Sequence, residues 1–355
     1  MARRRRRRSP HARLRQLGAL GLLLLLLLVP LALINCQRAT PTRPAASAAV
    51  ADDEPTALLI CSFNIQFLGS STRRRNDDLA AILEPYDIVV IQELVAPPYP
   101  GAFPDGTPFR PDPEAAAFFD AMAARGFEHV LSIEDTGPGD RNQSNGTGTE
   151  WFAAFYRPGR VVPAGDLPNG FIADDRTNHP DYGRVPHAFA FRDVAERADF
   201  VLISVHLPPD ATTAARARRA HELRAINDWV VAMDSTTGER DFIILGDMNI
   251  YTAEELATVT PSGFLSLNDE CRPTNTTIRS ARPYDHVMYR PLYTTEIDTE
   301  FDLQVVDLIE AMRPRWDTTL GPYPGDPYDH DKFRAYYSDH HPIVFRLVLP
   351  PRDDD

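Results

Sequence analysis

The chain has 355 residues, 37 of them basic and 50 acidic, for a formal net charge of −13 at pH 7. Eight of the basic residues and none of the acids precede Cys36, so a chain processed there keeps 29 basic residues against 50 acidic, a net charge of −21. That balance argues against a protein that grips nucleic acid by bulk positive charge, and cysteines at 36, 61 and 271 offer no zinc spacing.

Residues 1–35 read as a targeting segment. Arginines at 3–8, 13 and 15 precede an apolar run from 17 to 34, densest over 22–28. Basic, then apolar, then a short polar exit is the order of a secretory signal. A retained membrane anchor is the alternative. It needs roughly 20 apolar residues, and this run is interrupted by Gly18, Gly21 and Pro30. Cys36 is placed like the lipidated cysteine of a bacterial lipoprotein signal, but Asn35 stands where that pattern has a small residue. The lipidated and unlipidated readings both stay open. Residues 36–55, rich in Ala, Pro, Thr and Arg, read as a flexible tether. Residues 56–350 are expected to form one domain, followed by an acidic tail at 351–355.

Within that domain, short apolar runs at 58–63, 88–92, 152–156, 187–191, 200–205, 242–245, 287–289 and 343–349 predict buried strands. Helical patterns lie between them. One covers 76–83. A second starts after Asp112, with Pro113 at its first position and Gly126 as its stop. A third spans 212–233, where Leu223, Ile226, Val230 and Met233 recur at helical spacing and the arginines at 216, 218, 219 and 224 are expected on a solvated face. Strands mixed with helices predict an α/β (α+β) four-layer sandwich: two packed mixed sheets flanked by helices. Cys61 and Cys271 either pair or remain free thiols.

Polar residues recur where these strands end or begin: Asn64, Glu93, Glu150, His206, Asp247 with Asn249, Asp285, and Asp339 with His340. One such residue means little, since an acid at a strand end is ordinarily solvated. If all these ends converge, several carboxylates and two imidazoles meet at one edge. Gathering that negative charge is costly unless a cation offsets it. Oxygen ligands without cysteine suit Mg²⁺, Mn²⁺ or Ca²⁺, and imidazoles supply acid–base chemistry near neutral pH.

The stretches Ser62-Phe63-Asn64-Ile65-Gln66, Ile91-Gln92-Glu93, Ser204-Val205-His206, Gly246-Asp247-Met248-Asn249, Tyr284-Asp285-His286 and Ser338-Asp339-His340-His341-Pro342 together resemble the endonuclease/exonuclease/phosphatase superfamily, in its order. The first two resemble its deoxyribonuclease I-like branch. The resemblance implies that Glu93 and Asn64 form the principal metal site. It implies that Asp247 and Asn249 hold the scissile phosphate and the attacking water, with Asp247 also a metal ligand. His206 and His340 become the catalytic histidines, oriented by Glu150 and Asp285. Asp339 becomes a further metal carboxylate, and Arg184 a phosphate contact. One departure stands out: Leu94-Val95-Ala96-Pro97-Pro98 follows Glu93, where that branch carries a groove-binding arginine. Arg73, Arg74 and Arg75 could compensate, but a solvated charged turn is the simpler expectation.

The expected function is that of an exported, monomeric, metal-dependent phosphodiesterase, using Mg²⁺ or Mn²⁺ with Ca²⁺ as a further candidate. Nucleic acid, DNA above all, is the first-choice substrate. A sphingomyelinase-like or small phosphate-ester hydrolase is the second reading. A binding module with an inactive site, attached to the membrane by an N-terminal lipid or anchor, is the rival of another class, and the intact motif set argues against it.

Overall fold

The computed structural model describes residues 56–136, 149–176 and 179–353. The expected signal, the tether with Cys36, part of the 134–149 loop and the end of the acidic tail lie outside them. One sheet runs, in spatial order, β14 (Gln304–Val305), β15 (Ile343–Val348), β1 (Ala57–Leu68), β2 (Ile88–Leu94), β6 (Trp151–Tyr156) and β5 (Glu128–Leu131). The other runs β12 (Leu265–Ser266), β13 (Asp285–Tyr289), β11 (Phe242–Asp247), β10 (Asp199–His206), β9 (His187–Asp193) and β7 (Val161–Pro163), with β8 (Gly170–Phe171) also paired to β9. Gly101–Ala102 and Pro108–Phe109, β3 and β4, form a separate ribbon. Both large sheets are mixed, because β1–β2 and β10–β11 are parallel and their outer neighbours antiparallel.

Alternation along the strands makes the layers. Leu58, Ile60, Ile88 and Val90 face Phe191, Leu202, Ile243 and Val287 across the sandwich. Cys61, Phe63, Val89 and Ile91 point outward, against α1 (Asn76–Leu83), α2 (Pro113–Ala123), α5 (Leu308–Met312) and α6 (His330–Tyr336). Val201, Ile203, Phe242 and Ile244 point the other way, against α3 (Thr213–Thr237) and α4 (Ala253–Val259). Central strands covered on both faces must be apolar at every position, which is why they read as continuous runs rather than alternating ones. The caps explain the helix starts: Asp112 accepts from the Glu114 N–H, and Thr212 from that of Ala215. Among the described residues no helix is long and apolar enough to cross a membrane. Cys61, buried, and Cys271 are free thiols.

Two arginine readings need correction. Arg219 is fully buried rather than solvated. Its Nε lies 2.9 Å from Glu255 Oε1, and its Nη1 donates to Pro208 O at 2.8 Å and Asp210 O at 2.9 Å. Arg74 is buried too, against Glu114 at 2.7 Å. It donates to Ile65 O at 2.6 Å and also to the carbonyls of Gln66 and Tyr337. A guanidinium can leave water here because its planar fork meets a carboxylate and several carbonyls at once.

Arg219→Ala strands the Glu255 carboxylate in the interior, and urea unfolding is expected to show a loss of about 3–5 kcal/mol. The apolar double replacement Arg219→Met with Glu255→Met should recover most of that. A loss below about 1 kcal/mol for Arg219→Ala would show that the pair is not a structural clamp.

Candidate functional site

Strand register builds the centre of the site. His206 is paired with Asp247 across the parallel β10–β11 ladder, and Asp247 with Asp285 across the antiparallel β11–β13 ladder. Residues opposite each other project from the same face, so these three side chains form one row at the sheet's end. Gly246 permits this. Its φ is +133°, and a Cβ there would lie 2.1 Å from the Val205 carbonyl oxygen. The other sheet contributes Asn64 and Glu93 from the ends of β1 and β2. The chain turns sharply there: Gln66, Phe67 and Glu93 have φ of 58°, 52° and 63°, and Asn249 has 50°. Non-glycine residues hold this conformation only where their surroundings impose it.

Two carboxylate–histidine pairs converge on one carboxylate. His206 Nδ1 lies 2.7 Å from Glu150 Oε1, and His340 Nδ1 lies 2.8 Å from Asp285 Oδ2. Their Nε2 atoms face Asp247 Oδ2 at 3.6 and 3.5 Å. Glu93 Oε1 is 4.0 Å from His206 Nε2. Ligand-type atoms of Glu93, His206 and Asp247 all lie within 4.8 Å of one another, as do those of Asp247, Asp285 and His340. Asp339 joins neither group, but it lines a cavity of about 200 Å³ together with His340, Thr277 and Tyr284. Its buried Oδ1 has no hydrogen-bond partner.

Three expected residues behave differently from a simple ligand list. Asn64 turns its amide nitrogen toward the acids, donating to Glu93 Oε1 at 2.9 Å and Asp247 Oδ2 at 3.0 Å, while its oxygen accepts from the Gln66 N–H at 3.0 Å. Arg184 lies behind Glu150, Nε to Oε2 at 3.1 Å, and donates to His206 O at 3.3 Å. Asn249 donates its amide to Leu207 O at 3.0 Å, and its N–H to Asp247 Oδ1 at 2.9 Å.

Burial pushes Glu93 and Asp247 above the ordinary carboxylate range, more than the histidines pull them down. Burial also raises Glu150, but His206 and Arg184 outweigh it and hold that acid below its ordinary value. Burial lowers His206, yet Glu150 carries it above the usual imidazole value. His340 stands well above that value because Asp285 and Asp247 overcome its burial. The neighbours differ. His286, hydrogen-bonded to Ser266 Oγ and Pro283 O, is pushed down to about 4 by burial. His341 accepts from the Leu308 N–H.

Sequence reasoning missed several supports. Thr274 Oγ1 donates to Asp285 Oδ2 at 2.6 Å and accepts from the Asp285 N–H at 2.9 Å. Ser338 Oγ donates to Asn64 O at 2.8 Å and accepts from the His340 N–H at 3.0 Å, tying the segment that enters β15 to the neighbouring strand β1. Buried Gln92 bridges Ser62 and Ser204 across the sandwich. Ser338 and Gln92 sit inside the motifs and could have been singled out there. Thr274 lies outside every motif and carries no sequence signal.

The carboxylate set fits a divalent cation. Glu93 and Asp247 present oxygen from separate strand ends, and Asp339 keeps one oxygen unsatisfied. In metal-free protein, proton NMR should show the His340 ring holding its proton well above pH 6.5 and losing it as pH rises further. Asp285→Asn removes the carboxylate that favours the charged ring, so the midpoint should fall by about one to three pH units. An unchanged midpoint would mean that Asp285 does not govern that ring.

The sequence matches the Endonuclease/Exonuclease/phosphatase family over residues 61–340. No curated protein matches it. Among solved structures, an endonuclease/exonuclease/phosphatase from Bacteroides vulgatus is 15% identical with a TM-score of 0.51, over 83% of this chain and 100% of that one. D. rerio TDP2 complexed with a single-strand DNA product is 16% identical with a TM-score of 0.49, over 82% and 99%. A Bacteroides thetaiotaomicron mannosyl-6-phosphatase is 14% identical with a TM-score of 0.48, over 82% and 99%. At these identities the likeness is one of fold, and it does not choose a substrate.

Proposed function

The chain belongs to the endonuclease/exonuclease/phosphatase family and is a hydrolase of phosphoric ester bonds, and from that premise we propose that it is a divalent-metal-dependent phosphodiesterase acting on polynucleotide or a nucleotide-like diester. The observation that carries this reading is the convergence of two histidine Nε2 atoms on one carboxylate oxygen of Asp247, at 3.6 and 3.5 Å, each ring held from behind by its own acid.

Glu93, Asp247 and Asp339, with Asn64 once its amide is turned, would hold Mg²⁺ or Mn²⁺, which when bound supplies positive charge to the phosphate oxygens. The rest of the chemistry belongs to this chain. Glu150 and Asp285 fix the tautomers of His206 and His340, so each ring presents Nε2 to the reacting centre. One ring accepts the proton of the attacking water, and the other donates a proton to the departing oxygen. Asn249, pinned by its left-handed backbone and its bond to Leu207 O, is placed to orient the phosphate or the water. His206 and, behind it, Arg184 hold Glu150 below its ordinary value, and Arg184 through its contact with Glu150 positions the pair. A polyanion gains little from the overall charge of −21 after processing, so binding depends on the cation more than on a basic groove.

Residues 56–355 should cleave plasmid DNA, RNA or a dinucleotide with Mg²⁺ or Mn²⁺ and lose that activity in excess EDTA. His206→Ala and His340→Ala should each lower kcat about 10²–10⁴-fold with the fold intact. The double variant should lose less than the product of the two factors. His286→Ala and His341→Ala serve as controls for fold damage. Full activity in EDTA, or indifference to both catalytic substitutions, would refute the reading. Activity confined to sphingomyelin would move the substrate to the lipid class. The arginine- and leucine-rich order of residues 3–34 further supports export, and recovery of full-length soluble chain from the cytosol would contradict that.

A further inference from the structure

Beside the catalytic cavity lies a second and larger one, of about 630 Å³. Thr277 lines both. One wall of the outer pocket is the turn that carries Ile278 and Arg279. The other is the segment from Pro327 to Asp331 that enters α6. The walls are fastened together. Thr277 Oγ1 lies 3.2 Å from His330 Nε2, and the Tyr328 hydroxyl donates to Thr276 O and lies 3.1 Å from His330 Nδ1. The turn is fastened to the catalytic loop as well. Thr276 N–H donates to Asp339 O at 2.7 Å, and Asn275 forms a β-bridge with His340. A pocket of this volume suits a small organic group, and its wall is continuous with the residues around the reacting phosphate.

Its chemistry narrows the occupant. Ile278 presents an aliphatic side chain that is 60% exposed. Among the described residues, Arg279 makes no hydrogen bond or ion pair; Asp329 Oδ1 caps α6 by accepting from the Lys332 N–H, and Asp331, itself exposed, pairs with Arg334 at 3.3 Å. The free guanidinium plane, the exposed aliphatic surface and the Tyr328 ring suit stacking on a flat, uncharged group. We propose that this pocket binds a single nucleobase of the substrate next to the scissile phosphate. The inference rests on the phosphodiesterase reading and adds the substrate group to it.

The test compares dithymidine phosphate, the same diester with both bases removed, and glycerophosphocholine, each with Mg²⁺. Wild type should favour the thymidine diester by about tenfold or more in kcat/KM, mostly through KM. Ile278→Ser with Arg279→Ala, both exposed positions, should erase that preference while changing the base-free diester less than about twofold. Equal losses on both, or a preserved preference, would overturn the pocket even with His340→Ala abolishing every activity, which leaves the phosphodiesterase reading intact. Preference for glycerophosphocholine would overturn the base and favour a cationic headgroup. If no diester turns over, the phosphodiesterase reading fails. Calorimetric binding of thymidine monophosphate against its base-free sugar phosphate, in wild type and in the double variant, then decides the pocket on its own: no preference in wild type rejects it.

Discussion

The site is organised around the cost of keeping the Asp247 carboxylate out of water. It is buried, it lies on the shared row of β10, β11 and β13, and Glu93 and Asp285 stand close by. Without compensation such a group would protonate or draw the structure open. Asn64 and the Asn249 N–H donate to it, and two imidazoles face it at about hydrogen-bonding range. Those partners neutralise only part of the charge. What remains is a set of acids suited to a cation, so the feature that strains the fold is also the one that makes it a candidate metal site.

Holding that arrangement falls to buried arginine–glutamate pairs outside it. Arg219 and Glu255 together fasten the chain after β10 and the chain after Asn249: Arg219 donates to Pro208 O and Asp210 O, and Glu255 accepts from the Tyr251 N–H. Arg74 and Glu114 do the same for the other sheet. Arg74 reaches Ile65 O, Gln66 O and Tyr337 O, while Glu114 collects N–H groups of the turn at Gly69–Ser71. Each pair therefore secures segments flanking two strand ends of the candidate site. Buried ion pairs are a poor source of net stability but a good source of geometric specificity, since only one arrangement satisfies every donor. Catalytic groups must stay within fractions of an ångström of their working positions, which is the demand these clamps meet.

Much of this was legible in the sequence. The central strands are apolar throughout because both faces are covered, and their polar ends mark where the sandwich opens. The cap at Asp112 fixed one helix start, and helical spacing from 212 marked another. What escaped was whatever local pattern does not encode. Arg219 and Arg74 looked solvated, because burial of a charge depends on a partner 36 or 40 residues away. The edge strand β5, with Glu128 and His129 exposed, has too little apolar surface to register. The bond from Thr274 to Asp285 belongs to tertiary structure alone. The amide direction of Asn64 likewise depends on the Gln66 N–H, which competes for its oxygen.

Whether the acids meeting at Asp247 leave room for a divalent cation is tested most directly by thermal unfolding of the purified domain with and without millimolar Mg²⁺ or Mn²⁺, in wild type and in Asp247→Asn. A ligand that binds only the folded state raises its stability in proportion to the logarithm of its concentration over Kd. The account predicts a concentration-dependent rise in Tm for wild type and little or none for Asp247→Asn. Equal shifts in the two proteins, or no shift in wild type, would contradict it.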